Sequence, residues 1–415
     1  MPVLGVRDDF RRAQLAIAAL FCFLGFQYAT WAARLPTLKT RLGLSAEELG
    51  LLLMVCGAGA AASFPLVAHL MKRLGSGRLA FVSALSLAAL LPALSVAPNY
   101  PVALLIICCD GVAVGCLNVA MNAQGAALEA KYRRTAMAQL HATFSGGSLG
   151  AALLASGMNG LTSALTAHFA VAAVLLLLLL CVARPHLLPD EQHGAAQDDG
   201  QDSEGTTDQR ESEKARPSQK AGRRGLTLPS RMTLWMGCAM AFGTVTEGAM
   251  NDWSALYMKD VVKASAQLAP MGIAVVSVMM VLARVFADGW RSRWGDARVV
   301  RLGSALAGTG LALALPAGGL VPTLIGFACV GLGVAAVTPC VYVAAAAKGS
   351  DALALVAAMG TTGLLAGPAL IGFIAGAGGL VWGMAAVAGS ALIVSLCATQ
   401  IRWKALAGEP VEAVN

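Results

Sequence analysis

The sequence predicts an all-α membrane protein: twelve transmembrane helices as two pseudo-symmetric six-helix bundles, with both termini cytoplasmic. Three observations carry this. Of 415 residues, 57% are hydrophobic and only 13% are charged, about half the charge of a soluble globular chain. No soluble core hides so much apolar surface under so few charges. The apolar residues gather into runs of about 20, the length needed to cross a bilayer. Finally, the second six runs echo the first six.

In order, the segments are 13–34, 48–70, 79–97, 101–128, 137–159 and 163–183, then 232–258, 266–288, 299–317, 320–347, 352–376 and 380–400. Arg11 and Arg12 precede the first, but its apolar run is too long for a signal peptide, so it is a retained helix. Basic residues orient the bundle. Sixteen stand in one set of loops (Arg7, Arg11, Arg12, Lys72, Arg73, Arg78, Lys131, Arg133, Arg134, Arg291, Arg293, Arg298, Arg301, Lys348, Arg402 and Lys404). The opposite set has five: Arg34, Lys39, Arg41, Lys259 and Lys263. The positive-inside rule therefore places both termini and residues 185–230 in the cytoplasm. That middle stretch is polar, with nine acidic and six basic residues. It reads as a disordered linker between an N-terminal half, 1–184, and a C-terminal half, 231–415.

The halves repeat. Arg73-Leu-Gly75-Ser-Gly-Arg78 recurs 220 positions later as Arg293-Trp-Gly295-Asp-Ala-Arg298. Trp31 corresponds to Trp253, and Gly146 and Gly150 correspond to Gly363 and Gly367, at offsets of 222 and 217. Parallel repeats of this kind hold a solute site at their interface near the midplane. The glycine pairs Gly111/Gly115, Gly146/Gly150 and Gly363/Gly367 are expected where helices approach closely. Pro339 and Pro368 are expected to kink theirs.

Other classes fall away. The net charge of +7 becomes +10 once residues 185–230 are set aside, and it clusters between apolar segments, so it sets topology and does not mark nucleic-acid binding. The ten cysteines lie in apolar stretches without CxxC spacing and read as packing residues. No metal-ligand pattern, cofactor motif or G-x-x-x-x-G-K-[ST] loop occurs, so neither a cofactor nor direct ATP drive is expected.

Twelve spans, a central linker and the R-x-G-x-x-R loops resemble the major facilitator superfamily. More closely, the chain is similar to its MosC-like, rhizopine-transport-related branch, itself distantly similar to fucose permeases. The residues carrying the resemblance are Trp31-Ala-Ala-Arg34-Leu-Pro36, Asn122-Ala-Gln-Gly-Ala-Ala-Leu-Glu129, His141-Ala-Thr-Phe-Ser145, Glu247-Gly-Ala-Met-Asn251-Asp252-Trp253 and Thr361-Thr-Gly363. The superfamily's usual acid before R-x-G is replaced here by Lys72 and Ser292, leaving Arg284 and Asp288 for a gating role in the second half. The resemblance implies the major facilitator fold, no enzymatic activity, and alternating-access movement of a small solute.

Charged groups at mid-bilayer cost about 2.5–3.5 kcal/mol each on insertion scales, so Asp110, Glu247, Asp252 and Arg284 need a reason. Asp110, Asn118, Asn122 and Glu129 form a polar stripe, read either as a cavity wall with a proton path or as interhelical hydrogen bonding. Glu129 reads as a cytoplasmic gate or a partner for Arg133 or Arg134. Thr244, Glu247 and Asn251 share a face. Glu247 is the first choice for a coupling proton, because low dielectric penalises a carboxyl's charged form; the competing role is a structural pair with a residue such as His141. Asp252 reads as an outer gate or a salt bridge to Arg34. Gln27, Trp31 and Arg34 lie on one stripe suited to a polar organic solute, against which stand an interfacial anchor for Trp31 and a snorkelling role for Arg34. His141 is a proton relay or a helix-end structural group. Trp253 and Tyr342 complete the expected cavity, and Arg34, Arg73, Arg78, Arg293 and Arg298 the gates.

The function so expected is proton-coupled secondary transport of a sugar-derivative-like solute by a monomer in the cell membrane, the inner membrane in a Gram-negative source. Drug or metabolite efflux is the alternative within transport, and a non-transporting receptor the alternative outside it.

Overall fold

In a bilayer no water serves exposed backbone groups, so apolar segments fold as helices that satisfy them internally. The computed structural model describes residues 2–189 and 230–403. Most of the expected linker, together with Lys404, lies outside them, as does the side chain of Asp288. The described residues form thirteen α-helices: α1 Pro2–Ala32, α2 Leu35–Leu42, α3 Ala46–Ser95, α4 Tyr100–Tyr132, α5 Met137–Leu161, α6 Leu165–Ala183, α7 Arg231–Asp260, α8 Met271–Trp294, α9 Asp296–Ala317, α10 Leu320–Val334, α11 Val337–Lys348, α12 Ser350–Gly378 and α13 Leu380–Gln400. Eight helical spans are long and apolar enough to cross a membrane.

The boundaries differ from expectation in three places. A short amphipathic helix, α2, follows the first segment, and the second and third segments join in α3. This helix starts at a capping box in which Ser45 Oγ accepts from the Glu48 amide at 3.2 Å and Glu48 Oε2 accepts from the Ser45 amide at 2.8 Å. It bends at Gly75, whose φ of 76° and ψ of 169° fall in a region open essentially to glycine alone. Gly295, its counterpart in the repeat, has φ 75° and ψ 154° between α8 and α9, so the recurring motif carries a recurring backbone conformation. The third difference is a break of the tenth segment into α10 and α11, with Pro339 in the first turn after it. There the missing proline N–H leaves a ladder position empty.

Packing repeats as well. α1 lies along α5, and α3 along both α4 and α6; correspondingly α7 lies along α12, α8 along α10, and α9 along α13. Contacts between the two sets run chiefly through α3 with α12 and α5 with α8. Close approach depends on missing side chains. A Cβ at Gly111 would strike the Cys56 carbonyl, one at Gly363 the Ala241 carbonyl, and one at Gly147 the Cys22 carbonyl. The expected pair Gly146/Gly150 is therefore displaced by one residue: nothing lies within 4 Å of a Cβ at Gly146, and Gly150 makes only ordinary contact with Phe26. All ten cysteines are free.

Candidate functional site

The site grows from two adjacent residues of α1. Neighbours on a helix point about 100° apart, so Gln27 and Tyr28 face different partners. Gln27 Nε2 donates to Asp110 Oδ1 of α4 at 2.7 Å, and the Tyr28 hydroxyl donates to Asp252 Oδ1 of α7. Gln27, Asp110 and Asp252 are at most 3% exposed. Trp31 meets Tyr28 edge to face at 5.0 Å. On the same three helices five buried polar atoms lack protein partners: Gln27 Oε1, Asp110 Oδ2, Ser254 Oγ and the indole N–H groups of Trp31 and Trp253. Buried polar groups are normally hydrogen-bonded, so acceptors and donors are here available to something else.

A second cluster involves Arg284 of α8. Its Nη2 donates to Glu247 Oε1 at 3.1 Å, with both side chains about a quarter exposed. Its Nη1 donates to Ser145 Oγ of α5. His141 lies one turn before Ser145, exposed, with its ring edge-on to Phe21 at 5.0 Å.

Several partners differ from those expected. Glu247 pairs with Arg284, not His141. Asp252 takes Tyr28, while Arg34 donates to the Ala164 carbonyl at 3.3 Å. Glu129 accepts the amides of Ala136 and Met137 at 2.5 and 2.8 Å, satisfying two orphan donors where α5 begins; it does not reach Arg133 or Arg134. The polar stripe of α4 is split: Asp110 is buried, Asn118 is exposed, and Asn122 donates to the Asn118 carbonyl and side chain at 2.7 and 3.0 Å. Asn251 donates to the Glu247 carbonyl within α7 at 3.2 Å. Tyr342 is half-buried on α11. Arg73, Arg78, Arg293 and Arg298 are exposed, and the ion pair beside the second motif joins Arg291 to Asp296 at 2.8 Å.

Two residues escaped the sequence reading. Tyr28 was masked by its neighbours in the apolar stripe, although a lone phenol between Gln27 and Trp31 was the available signal. Gln124 donates to Ser76 Oγ at 2.7 Å and to the Leu188 carbonyl at 2.9 Å, and accepts from the Leu188 amide at 2.9 Å. It ties the end of the first helical set to the Gly75 bend.

The side-chain bonds joining α1–α6 to α7–α13 concentrate at one end. Besides Tyr28–Asp252 they include Lys39–Asp260 at 2.8 Å, Ser156 to the Gln267 carbonyl at 2.7 Å and Asn159 to the Ala266 carbonyl at 2.7 Å. Tyr28→Phe is expected to loosen this end by about 0.5–1.5 kcal/mol, the net worth of a typical hydrogen bond. Faster amide exchange over residues 39–45 and 260–268 would register it; unchanged exchange would show that the bond holds nothing shut.

Among the described residues, no group of three or more His, Cys, Asp or Glu is placed to hold a metal ion. Eight membrane-length spans, packed as two similar helical sets around buried carboxyls and unpartnered indole N–H groups, are the architecture of a multi-pass membrane protein with a polar interior. The chain belongs to the major facilitator superfamily, whose model matches residues 15–350. It is 31% identical over 366 residues to an uncharacterised transporter of Sinorhizobium fredii, covering 86% of this chain and 90% of that one. It is 30% identical over 374 residues to the membrane protein MosC of Rhizobium meliloti, covering 88% and 84%. In fold it is similar to the nucleoside transporter NupG, with a TM-score of 0.69 at 14% identity over 94% of this chain and 99% of that one.

Proposed function

We propose that the protein is a proton-coupled secondary transporter of a small polar organic solute, sugar-derivative-like in its hydroxyl content, working by alternating access. The observation that carries this reading is the set of polar contacts among α1, α4, α7 and α8: the buried pairs Gln27–Asp110 and Tyr28–Asp252, the second joining the two helical sets, and the part-buried pair Arg284–Glu247. Free indole donors and amide and carboxyl acceptors suit hydroxyl groups, which both donate and accept. Trp31, Trp253, Gln27, Asn118, Asn122, Asn251 and Tyr342 line the path. Asp110, Glu247 and His141 carry the proton. Arg34, Asp252 and Glu129 belong to the gates, with the loop arginines Arg73, Arg78, Arg293 and Arg298; Arg284 and Asp288 serve the second half.

In this reading twelve crossings form two halves, 1–184 and 231–415. α3 supplies two crossings on either side of Gly75, α10 with α11 supplies one, and α2 lies at the surface. The protein works as a monomer in the cell membrane, with the 185–230 linker and both termini inside. The end sealed by Lys39–Asp260 then faces outward, and the halves rock about these polar contacts.

The test is transport by the purified protein in proteoliposomes, using sugars, inositols and related polar solutes selected by thermal shift. Accumulation should follow an imposed pH gradient and collapse on adding a protonophore. Flux of a thermally stabilising solute that ignores the pH gradient would remove the proton coupling. Absence of any solute flux would remove transport itself.

A further inference from the structure

Away from those polar contacts, the start of α6 concentrates hydrogen-bond donors and positive charge without an acid to meet them. Arg34 is 2% exposed. Its Nη2 reaches the Ala164 carbonyl at 3.3 Å, and its Nε has no partner. Among the described residues no carboxylate forms an ion pair with it. Ala164 is the N-cap of α6 and supplies no side-chain cap. Thr162 Oγ1 takes the Ala164 amide at 3.1 Å, but the amides of the first helical turn have no partners within the helix. One turn along stands His168, fully buried, with neither ring nitrogen hydrogen-bonded, within electrostatic reach of Arg34.

An unpaired buried guanidinium costs several kcal/mol, and a helix N-terminus adds roughly half a positive charge. A guanidinium with an unpartnered Nε, an unpartnered imidazole one turn along α6 and the amides of a helix N-terminus are together complementary to an anion. Ser163, Ala164 and Thr166 are exposed, whereas Arg34, Leu35, Leu165, His168 and Phe169 are at most 5% exposed, so the place opens to solvent at the helix start and closes around the guanidinium and imidazole, which suits a small inorganic ion.

We propose that Arg34, His168 and the N-terminus of α6 bind a chloride ion. α1 and α6 pack together within one helical set, so this ion stays bound while the sets rock. It is a structural ion that neutralises Arg34 and fixes the end of α1 on which Trp31 and Tyr28 depend, and it is not cargo. The inference stands independently of the solute and of the proton.

The test uses the purified full-length protein at constant ionic strength, exchanging gluconate for chloride. Thermal unfolding should shift upward saturably by about 3 °C or more, and radiolabelled chloride should bind with one saturable site per chain. Arg34→Gln should abolish both effects. His168→Phe keeps the ring volume and provides the second variant if Arg34→Gln fails to fold; it should weaken chloride binding at least about fivefold, the loss of one hydrogen bond. No saturable chloride binding by the wild type overturns the proposal. So does wild-type chloride affinity in whichever of the two variants folds.

Discussion

Glu247→Gln is expected to abolish uphill solute accumulation in proteoliposomes while leaving solute exchange across the membrane intact. The amide keeps an acceptor for Arg284 Nη2, now 3.1 Å from the carboxylate, so the cavity's shape and the Arg284–Ser145 bond have reason to survive. What disappears is the carboxyl proposed to carry the coupling proton. A pH difference of one unit stores about 1.4 kcal/mol per proton, so one-proton coupling sustains up to about tenfold accumulation per unit. The variant should fall to equal concentrations inside and out. Full accumulation by Glu247→Gln would move the coupling proton elsewhere, with Asp110 next to test because it is a buried carboxyl whose recorded partner is the Gln27 amide.

The largest effect on stability should come from a single methyl group. Gly111→Ala places a Cβ on the backbone carbonyl of Cys56 and within 3.1 Å of the Ala60 amide nitrogen. Neither is the movable tip of a side chain, so α3 and α4 must separate along their contact. Overpacking of this kind costs about 1–3 kcal/mol and sometimes more, and here a backbone clash favours the upper end. The control is Gly146→Ala, whose Cβ meets nothing within 4 Å and which gains helix propensity of up to about 1 kcal/mol. Thermal unfolding in detergent should separate the two variants clearly, with Gly111→Ala poorly produced or strongly lowered and Gly146→Ala at or above wild type. Equal melting temperatures would mean that the α3–α4 spacing is softer than the close contact implies.

The contrast between these glycines shows where sequence reasoning stops. Spacing marked Gly146 and Gly150 as an interface pair, yet Gly147 makes the close approach to Cys22. Glycine is abundant on that helix, with 46 in the chain, and a shift of one residue turns the contact face by about 100°. Which segments are helical was legible; helix rotation was not.

The central site divides along the same line. The cost of a charge in hydrocarbon is a property of one residue and its position, so Asp110, Glu247, Asp252 and Arg284 could be picked out individually. Their partners could not. Asp110 meets a residue 83 positions away, Asp252 one 224 positions away and Glu247 one 37 positions away. Tyr28 stood out only as a lone phenol beside Gln27 and gave no sign of its partner, because a phenol sits in an apolar helix at small cost and its value lies in what it reaches. Arg34 reversed expectation for the same reason: the natural acid partner, Asp252, is engaged by Tyr28, and Arg34 turns to the start of α6.

By itself, the sequence determined that this chain lives in a membrane, that its helices repeat, and where glycine must bend the backbone. Gly75 and Gly295 share one motif and one unusual conformation. Those features follow from composition, segment length and local sterics, which act over a turn or two of chain. Only the tertiary structure decided which polar groups meet, which stay unpartnered and where most side-chain bonds between the two helical sets fall. These depend on how each helix is rotated and seated against its neighbours, and that is fixed jointly by contacts between residues far apart in sequence.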